Sequence, residues 1–253
     1  MSFKKLLVLF VGTFIVFLVL YTPINIVAKY IAIPNYVALQ NLKGTLWSGN
    51  AQAIQVDKWQ FTNLTWEVKV ADLFTGKLSY EIKFGQARNA QQLSGKANIS
   101  LGFSTLSLSD VVLRAPASSI RSELPIPTSE LNGRVILELD NYQVSSVNDP
   151  SQTQMMCDEL KGELLWTKAE VVFGQPMSLG TITAQLSCNT GAIVAQFDGN
   201  NELGLEGDAT IVSPESFSFQ GYVKPSESLP QDIHKGISMF SQIDMQGRYP
   251  IKL

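Results

Sequence analysis

Apolar and polar residues alternate with a period of two along much of the chain. The run 78–84 is one example, with apolar residues at Leu78, Tyr80, Ile82 and Phe84. Runs of the same kind occupy 99–103, 182–186 and 193–197. This period predicts strands with one buried face and one solvent-exposed face, as in antiparallel sheets. The sequence therefore predicts a mainly β protein with a large, twisted, mostly antiparallel sheet domain.

The apolar positions change parity between residues 59 and 70. Trp59 and Phe61 share one parity, whereas Leu64 and Trp66 take the other. A one-residue insertion near Asn63 would bring both groups to the same face of a strand. We therefore predict a β-bulge or a short turn at this position.

A second pattern is a leucine or methionine, then any residue, then glycine. It occurs with irregular spacing at Leu42-x-Gly44, Leu93-x-Gly95, Leu131-x-Gly133, Leu160-x-Gly162, Leu205-x-Gly207 and Met245-x-Gly247. A solenoid would hold a fixed period, so we interpret these positions as equivalent strand starts in a meandering sheet. The glycine would serve a twist, a bulge or a close backbone approach. Chance recurrence of two common residues is the alternative.

Near the C-terminus the spacing of apolar residues changes to that of a helix. The residues concerned are Leu229, Ile233, Ile237 and Phe240. Pro230 suits the first turn of a helix. We predict one short amphipathic helix at about 230–241, packed on the sheet, and a terminal strand over 245–253.

Residues that interrupt strands, such as proline, divide the β region only weakly. Three prolines within 114–130 predict an irregular crossover with one helical turn, and 148–151 is a predicted loop. No Gly/Ser linker separates two domains. We therefore predict one β-rich domain over 34–253 with a soft seam near 145–155, and two β layers as the alternative.

The N-terminus carries a long apolar segment. Lys4 and Lys5 are followed by 23 uncharged residues, 6–28, most of them Leu, Val, Ile or Phe. A helix of about 20 residues spans the hydrocarbon core of a bilayer. Pro23 is expected to kink the outer turn of this helix, and Pro34 to end it.

A cleaved signal peptide is the alternative interpretation of this segment. Cleavage needs a small-x-small site, and Ala28 has Ile26 two positions before it, which is a poor match. We predict residues 1–33 to be a cytoplasmic tip with an uncleaved transmembrane signal-anchor. Because the lysines of the short tip favour the cytoplasm, residues 34–253 are predicted to lie across the membrane.

The only cysteines are Cys157 and Cys188, and they lack C-x-x-C spacing. An oxidising compartment would join them. Closing a loop of about 30 residues would stabilise the fold by roughly 3–4 kcal/mol. Two buried free thiols are the alternative. A metal site is not indicated, because the only histidine, His234, is far away in sequence.

Neither catalytic chemistry nor nucleic-acid binding is indicated. The chain has no P-loop, no G-x-S-x-G, no H-E-x-x-H and no Rossmann glycine run. His234 and Lys235 lie side by side on the predicted helix, so we interpret the histidine as solvated. Segment 198–202 is interpreted as a hairpin turn rather than a calcium loop. The net charge is −3 without a basic patch. We predict no catalytic residue, metal, cofactor or nucleic-acid partner.

The four tryptophans are interpreted as packing residues, because large aromatics dominate the cores of thin sheets. They are Trp47, Trp59, Trp66 and Trp166. One short helix cannot cover a sheet of ten or more strands, so either the sheet folds on itself or an apolar groove stays open. An open apolar patch would mark a partner or a lipid site.

Three segments together resemble one family. They are Leu42-Lys-Gly-Thr-Leu-Trp-Ser-Gly-Asn-Ala51, then Leu64-Thr-Trp-Glu-Val68 with Leu73-Phe-Thr-Gly76, and Gly247-Arg-Tyr-Pro250. With the N-terminal anchor and a length near 250, the chain resembles type II secretion system protein N. The positions that carry the resemblance are Gly44, Leu46, Trp47, Gly49, Trp66, Gly76, Gly247, Arg248, Tyr249 and Pro250. The cysteines also fall where this family tends to carry a pair.

The resemblance implies a single-pass protein of the bacterial inner membrane with a periplasmic β-rich domain. It implies a non-enzymatic role, through contacts with other secretion components, in the export of folded periplasmic proteins across the outer membrane. A more distant resemblance to AsmA-type proteins implies the alternative, a periplasmic lipid- or amphiphile-binding protein with an apolar groove. That second likeness is an analogy of fold alone.

Overall fold

The computed structural model of the protein describes residues 3–30, 34, 36–123, 130–145, 155–173, 175–213 and 216–252. Within these ranges the helices are α1 (Phe3–Tyr21), α2 (Ile24–Tyr30), α3 (Val70–Leu73), a 3-10 helix (Ala117–Glu123) and α4 (Gln231–Phe240). The strands are β1 (Val37–Gln40), β2 (Lys43–Gly44), β3 (Ser48–Val56), β4 (Trp59–Val68), β5 (Leu78–Phe84), β6 (Ser94–Leu101), β7 (Thr105–Pro116), β8 (Glu130–Ser145), β9 (Glu159–Phe173), β10 (Gln175–Asn189), β11 (Ala192–Asp198), β12 (Glu206–Ser213), β13 (Ser216–Val223) and β14 (Tyr249–Lys252). The protein is mainly β, as predicted.

The chain forms two compact units, Met1–Gly85 and Gln86–Leu253. In the first unit, β1 and β2 both pair with β3. β3 in turn pairs with β4, and β4 pairs with β5. All of these pairings are antiparallel. The buried residues of these strands include the small side chains Ala51 and Ala53 of β3 and Ser79 of β5.

The predicted change of face in β4 is confirmed at Asn63. This residue has a φ of 51°. The less exposed positions are Trp59 and Phe61 before it, and Leu64 and Trp66 after it. However, β4 keeps one register with β3 along its whole paired length. The change of face is therefore a local change of backbone direction, and the predicted one-residue insertion against β3 is wrong.

The apolar N-terminal segment forms two helices rather than one. α1 ends at Tyr21, and the carbonyl oxygen of Pro23 accepts the amide hydrogen bond of Ile26 at 3.1 Å to open α2. The predicted interruption at Pro23 is confirmed, because its ring cannot continue the preceding helix. Among the helices in the described ranges, none combines the length and apolarity that a membrane span requires. The transmembrane anchor therefore stays a prediction.

In the second unit, β6 to β14 form an antiparallel meander in which each strand pairs with the next. The strands predicted from alternation at 182–186 and 193–197 are confirmed in β10 and β11. The alternation predicted for 99–103 ends early. Phe103 is 96% exposed in the β6–β7 turn, where the Gly102 amide donates to the Thr105 carbonyl at 2.8 Å. Its predicted place in a strand is wrong.

Two apolar clusters form the core of the second unit. The first contains Ala117, Leu131, Ala169, Val171, Met177, Leu179, Ile182 and Leu229. Trp166 and Ile233 pack against it, which confirms the predicted helix α4 and its packing on the sheet. The second cluster contains Val111, Leu139, Cys157 and Leu160. Both clusters lie where long neighbouring strands present apolar residues on the same face.

The Leu-x-Gly pattern marks strand starts in most places. Five of the six glycines lie among the first four residues of a strand, namely Gly44 in β2, Gly95 in β6, Gly133 in β8, Gly162 in β9 and Gly207 in β12. The prediction is wrong for Gly247, which lies in a turn, so that the last strand begins only at Tyr249. The pattern therefore marks a strand start at five of its six positions.

The predicted soft seam near 145–155 falls mainly on residues 146–154, which lie outside the described residues. The division into two compact units lies at Gly85. The extent of the predicted domain, 34–253, stays a prediction. The crossover predicted within 114–130 contains the 3-10 helix Ala117–Glu123, and residues 124–129 lie outside the described residues.

Candidate functional site

The G-T-L-W-S-G segment forms a tight hairpin between β2 and β3. Gly44 and Gly49 are directly paired across it. The Thr45 amide donates to the Ser48 carbonyl oxygen at 2.8 Å. The Thr45 side-chain Oγ1 accepts the amides of Trp47 at 3.2 Å and of Ser48 at 3.3 Å. The turn is thus held by its own backbone and by one hydroxyl.

Close contacts explain both glycines of the hairpin. Gly44 has a φ of 107°, and a Cβ there would lie 2.5 Å from the Cα of Gly49. A Cβ on Gly49 would lie 2.8 Å from Cη2 of Trp66. The Trp66 Nε1–H donates to the Thr45 carbonyl at 3.1 Å. The indole ring of Trp66 therefore packs over Gly49, and its hydrogen bond connects the hairpin turn to β4.

The helix α3 lies beside this hairpin. The Val68 amide donates to the carbonyl oxygen of Trp47 at 2.7 Å, and α3 begins two residues later. α3 ends in a turn in which Gly76, with a φ of 75°, donates its amide to the Leu73 carbonyl at 3.1 Å. Only glycine adopts such a conformation without strain. Gly76 therefore closes the connection from α3 to β5.

The end of α1 reaches the same hairpin. Pro23, which follows α1, forms an antiparallel bridge with Thr45. The structure therefore brings together one set of predicted residues at one end of the first unit, namely Gly44, Leu46, Trp47, Gly49, Trp66 and Gly76. The remaining predicted residues, 247–250, belong to the second unit and form a separate arrangement.

That second arrangement is a turn closed by Asp244. One carboxylate oxygen accepts the amides of Gln246 and Arg248, both at 2.8 Å, and the other accepts Nε–H of Arg248 at 3.1 Å. The Arg248 amide, followed by its guanidinium and the Gln246 amide, holds the pKa of Asp244 below its ordinary value. The Arg248 guanidinium carbon also lies 3.9 Å from the centroid of the Tyr222 ring. Arg248 therefore connects the turn to β13.

The last strand, β14, begins directly after this turn. Tyr249 pairs with Val223, and Pro250 pairs with Tyr222. Ser241 Oγ donates to the Pro250 carbonyl at 2.7 Å. Proline has no amide hydrogen, which suits a short strand at the edge of a sheet. Residues 247–250 therefore fix the end of the sheet.

Replacing Arg248 with alanine is expected to loosen β14, because both the contact with Asp244 and the stack on Tyr222 are lost. Hydrogen exchange at the β14 amides should become several-fold faster, measured by mass spectrometry on peptides covering 244–252. Arg248→Lys is the matched control. It keeps the charge but not the planar donor pair, so an intermediate rate is expected. Unchanged exchange in both variants would contradict this role.

Both arrangements lie within the region covered by a family comparison. The model of the family described as type II secretion system (T2SS), protein N, matches residues 35–252.

This chain belongs to the type II secretion system protein N family.

Two curated relatives carry the same name. One, from Vibrio cholerae serotype O1, is 24% identical over 235 residues, covering 92% of this chain and 90% of the relative. The other, from Aeromonas hydrophila, is 27% identical over 254 residues, covering 96% and 94%. No solved structure matches this chain. The predicted family is therefore confirmed over nearly the whole length.

The predicted disulfide is present in this protein N family member. Cys157 and Cys188 are bonded, with Cα atoms 6.0 Å apart and a sequence separation of 31. Cys157 is fully buried in the second cluster. Next to it, the Tyr142 hydroxyl donates to the Met156 carbonyl at 2.6 Å. Burial, with a smaller effect of Asp158, raises the pKa of Tyr142. The bridge therefore secures segment 155–157 on the sheet.

Across the described ranges, no three His, Cys, Asp or Glu side chains converge on a point that could hold a metal ion. His234 lies half-buried on α4. Segment 198–202 connects β11 and β12, and the Asn200 amide donates to Asp198 Oδ1 at 2.8 Å. That contact is typical of the predicted hairpin turn.

An open groove of about 890 Å³ lies on β10 to β14. One cross-strand row of side chains runs along it, in the order Gln185, Gln196, Asp208, Gln220 and Lys252. Side chains of this kind bind water or polar partners. Phe197, Tyr222 and Ile251 also line the groove, so its lining is mixed rather than apolar throughout.

The sequence interpretation missed a small polar cluster that joins two loops of the second unit. The Glu202 carboxylate accepts hydrogen bonds from the hydroxyls of Ser226 at 2.6 Å and Ser228 at 2.8 Å. The Ser226 amide also donates to the Glu202 carbonyl at 2.9 Å. The signal was weak, since a Ser-x-Ser pair 24 residues from a glutamate has no recognisable spacing. The cluster positions the loop that leads into α4.

The hydrogen bonds from the two hydroxyls lower the pKa of Glu202 from its ordinary value of 4.5, and the bond from Ser226 has the larger effect. These hydrogen bonds therefore stabilise the fold fully above pH 4.5, and this stabilisation is lost as the pH falls through the lowered pKa of Glu202. We expect a carbon-13 NMR titration of the Glu202 carboxyl to show a midpoint below 4.5. The variant Ser226→Ala/Ser228→Ala should return the midpoint towards 4.5. Equal midpoints in both proteins would contradict the assignment.

Proposed function

We propose that the protein is a non-enzymatic component of the type II secretion system, which contributes to the export of folded periplasmic proteins through protein–protein contacts. Residues 6–28 would hold it in the inner membrane with the N-terminus in the cytoplasm and 34–253 in the periplasm. The family match over residues 35–252 carries this proposal. Its partners would be other inner-membrane or periplasmic components of the same system.

The surface of α1 supports the membrane location. Phe10, Phe14, Phe17 and Leu18 are more than half exposed. After Lys5, the only polar side chain of α1 before Tyr21 is Thr13, whose hydroxyl donates to the Leu9 carbonyl at 2.8 Å. A helix that is apolar all round needs an apolar environment on every side. The bilayer would supply that environment.

The disulfide supports the periplasmic location of the β-rich part. Bonded cysteines persist in oxidising compartments, including the bacterial periplasm, and are rare in the cytosol. Cys157 and Cys188 lie within bonding geometry in the second unit. A fusion of alkaline phosphatase to the C-terminus tests this location, because that enzyme needs its own disulfides to be active. An inactive but intact fusion would contradict it.

The role of the hairpin and the C-terminal turn in this proposal is structural. Each consists of backbone hydrogen bonds and packed rings rather than of groups aligned on a substrate. Such elements hold a sheet in the shape that a partner recognises. This supports an interaction protein over an enzyme.

Deletion of the gene tests the function. We expect secreted enzymes to accumulate in the periplasm while the phospholipid composition stays normal, and the wild-type gene to restore export. Photocrosslinking probes placed along 50–57 and 241–252 should then identify partner components. Normal export in the deletion strain would contradict the proposal. Crosslinks mainly to phospholipid from these sites would favour the alternative of a lipid- or amphiphile-binding protein.

A further inference from the structure

Four apolar side chains project from one end of the first unit. Leu46 lies at the hairpin turn and is 37% exposed, and Val70, Leu73 and Phe74, on and after α3, are 60%, 38% and 90% exposed. We call these four residues the apolar tip. Exposed apolar residues that cluster in this way indicate a contact surface.

The backbone holds the two parts of the apolar tip side by side. The amide of Val68 donates to the carbonyl of Trp47 at 2.7 Å. Trp47 directly follows Leu46, and Val68 lies two residues before Val70, so this bond joins the two parts. β3 and β4 pair directly at Ser48 and Glu67, just inside this contact. The tip is therefore a fixed feature of the fold.

The apolar helix α1 ends at the same place. Pro23 bridges Thr45, the residue before Leu46. Tyr21, the last residue of α1, is 71% exposed. Tyrosine suits the boundary between hydrocarbon and water. The apolar tip and the end of the predicted anchor therefore lie at one end of the unit.

Charge around this end is positive. Lys43, Lys69 and Lys77 lie within three residues of a tip residue in sequence, and so do the acids Glu67 and Asp72, so that lysines outnumber acids by three to two. All three lysines are exposed. Lysines beside an apolar surface bind anionic lipid headgroups, each contributing about 1 kcal/mol, or about fivefold in affinity. The chemistry fits an anionic bilayer surface better than an acidic protein, because the lysines flank exposed apolar side chains, of which Phe74 is 90% exposed.

We propose that the apolar tip inserts into the interface of the bilayer that holds α1, with the surrounding lysines on anionic headgroups. This rests on the membrane location proposed above. Insertion at a second point would fix the orientation of the first unit against the membrane, because one helix alone allows rotation about its axis. Val70, Leu73 and Phe74 would reach the acyl boundary.

The test uses the full-length protein in vesicles of phosphatidylethanolamine and phosphatidylglycerol. A benzophenone amino acid replaces Phe74 in one variant, Tyr36 in a second and Phe14 in a third, and lipid adducts are measured by mass spectrometry. Tyr36 is the matched control because it is 61% exposed but lies beside Asp57 at the opposite end of β3. That end is about 26 Å away along a strand of this length.

We expect abundant lipid adducts at positions 74 and 14, and several-fold fewer at 36. Adducts at 14 with no excess at 74 over 36 would overturn the tip proposal and leave the membrane location standing. No adducts at 14 would overturn the membrane location itself. Crosslinks from 74 to a second copy of the protein would also overturn the tip proposal. A probe at Val70 repeats the measurement if the Phe74 variant is not folded.

Charge substitution tests the second half of the proposal. Lys69→Gln/Lys77→Gln is expected to lower the adduct yield at 74 several-fold in vesicles that contain phosphatidylglycerol. In phosphatidylcholine vesicles the same pair should have no effect, because no anionic headgroup is present. Equal yields with and without the lysines in anionic vesicles would overturn the role of the lysines.

Discussion

Opening the Cys157–Cys188 bridge is expected to lower the free energy of unfolding of the second unit by about 3–4 kcal/mol. The bond closes a loop with a sequence separation of 31, so its loss increases the conformational entropy of the unfolded chain. The fully buried position of Cys157 adds a packing loss when alanine replaces it. Urea unfolding of Cys157→Ala/Cys188→Ala against wild type measures the difference.

Reduction provides the control for this prediction. A thiol reductant should lower the urea midpoint of the wild-type protein and leave that of the double variant unchanged. The two measurements separate loop closure from packing, because reduction keeps both sulfur atoms in place. Equal midpoints for oxidised and reduced wild-type protein would show that the bridge does not stabilise the native state.

Replacing Gly44 with valine is expected to destabilise the first unit by about 3 kcal/mol or more. The φ of 107° disfavours any side chain, and the added Cβ would collide with Gly49 and with the Ser48 carbonyl. Three of the four tryptophans, Trp47, Trp59 and Trp66, lie in this unit. Their fluorescence therefore reports its unfolding, measured in a Trp166→Phe background.

A glycine in open space is the matched control. Outside its own helix backbone, Gly236 on α4 has no atom within 4 Å of an added Cβ, so Gly236→Ala should stabilise the second unit by about 0.5–1 kcal/mol, measured by the fluorescence of Trp166 with that residue retained. An unchanged midpoint for Gly44→Val would mean that the hairpin relaxes around a side chain. The family pattern would then reflect a surface rather than a backbone requirement.

Periodicity predicted most of the β structure because strand formation depends on local alternation. The same signal failed at Phe103, where a turn at Gly102 ended the strand while the alternation continued by chance. Trp66 shows a different limit. Its class as a packing residue followed from its size, but its position over Gly49 depends on the register of two strands, which no local pattern specifies.

The candidate site residues were predicted from the family resemblance rather than from periodicity. The resemblance identified Gly44, Trp47 and Gly49, and the structure shows that close backbone contacts require the two glycines. The apolar tip was not predicted. Val70, Leu73 and Phe74 continue a strand-like sequence, and their exposure appears only when α3 turns away from the sheet.

The meander of the second unit has a consequence for biogenesis. Each strand from β7 to β14 pairs with the strand made just before it. The longest interval between two partners is 224–248, before β14, so the entropic cost of closing loops is small. A chain threaded N-terminus first through a translocation channel could thus fold vectorially, one hairpin at a time. The disulfide could lock β9 against β10 before β11 has emerged.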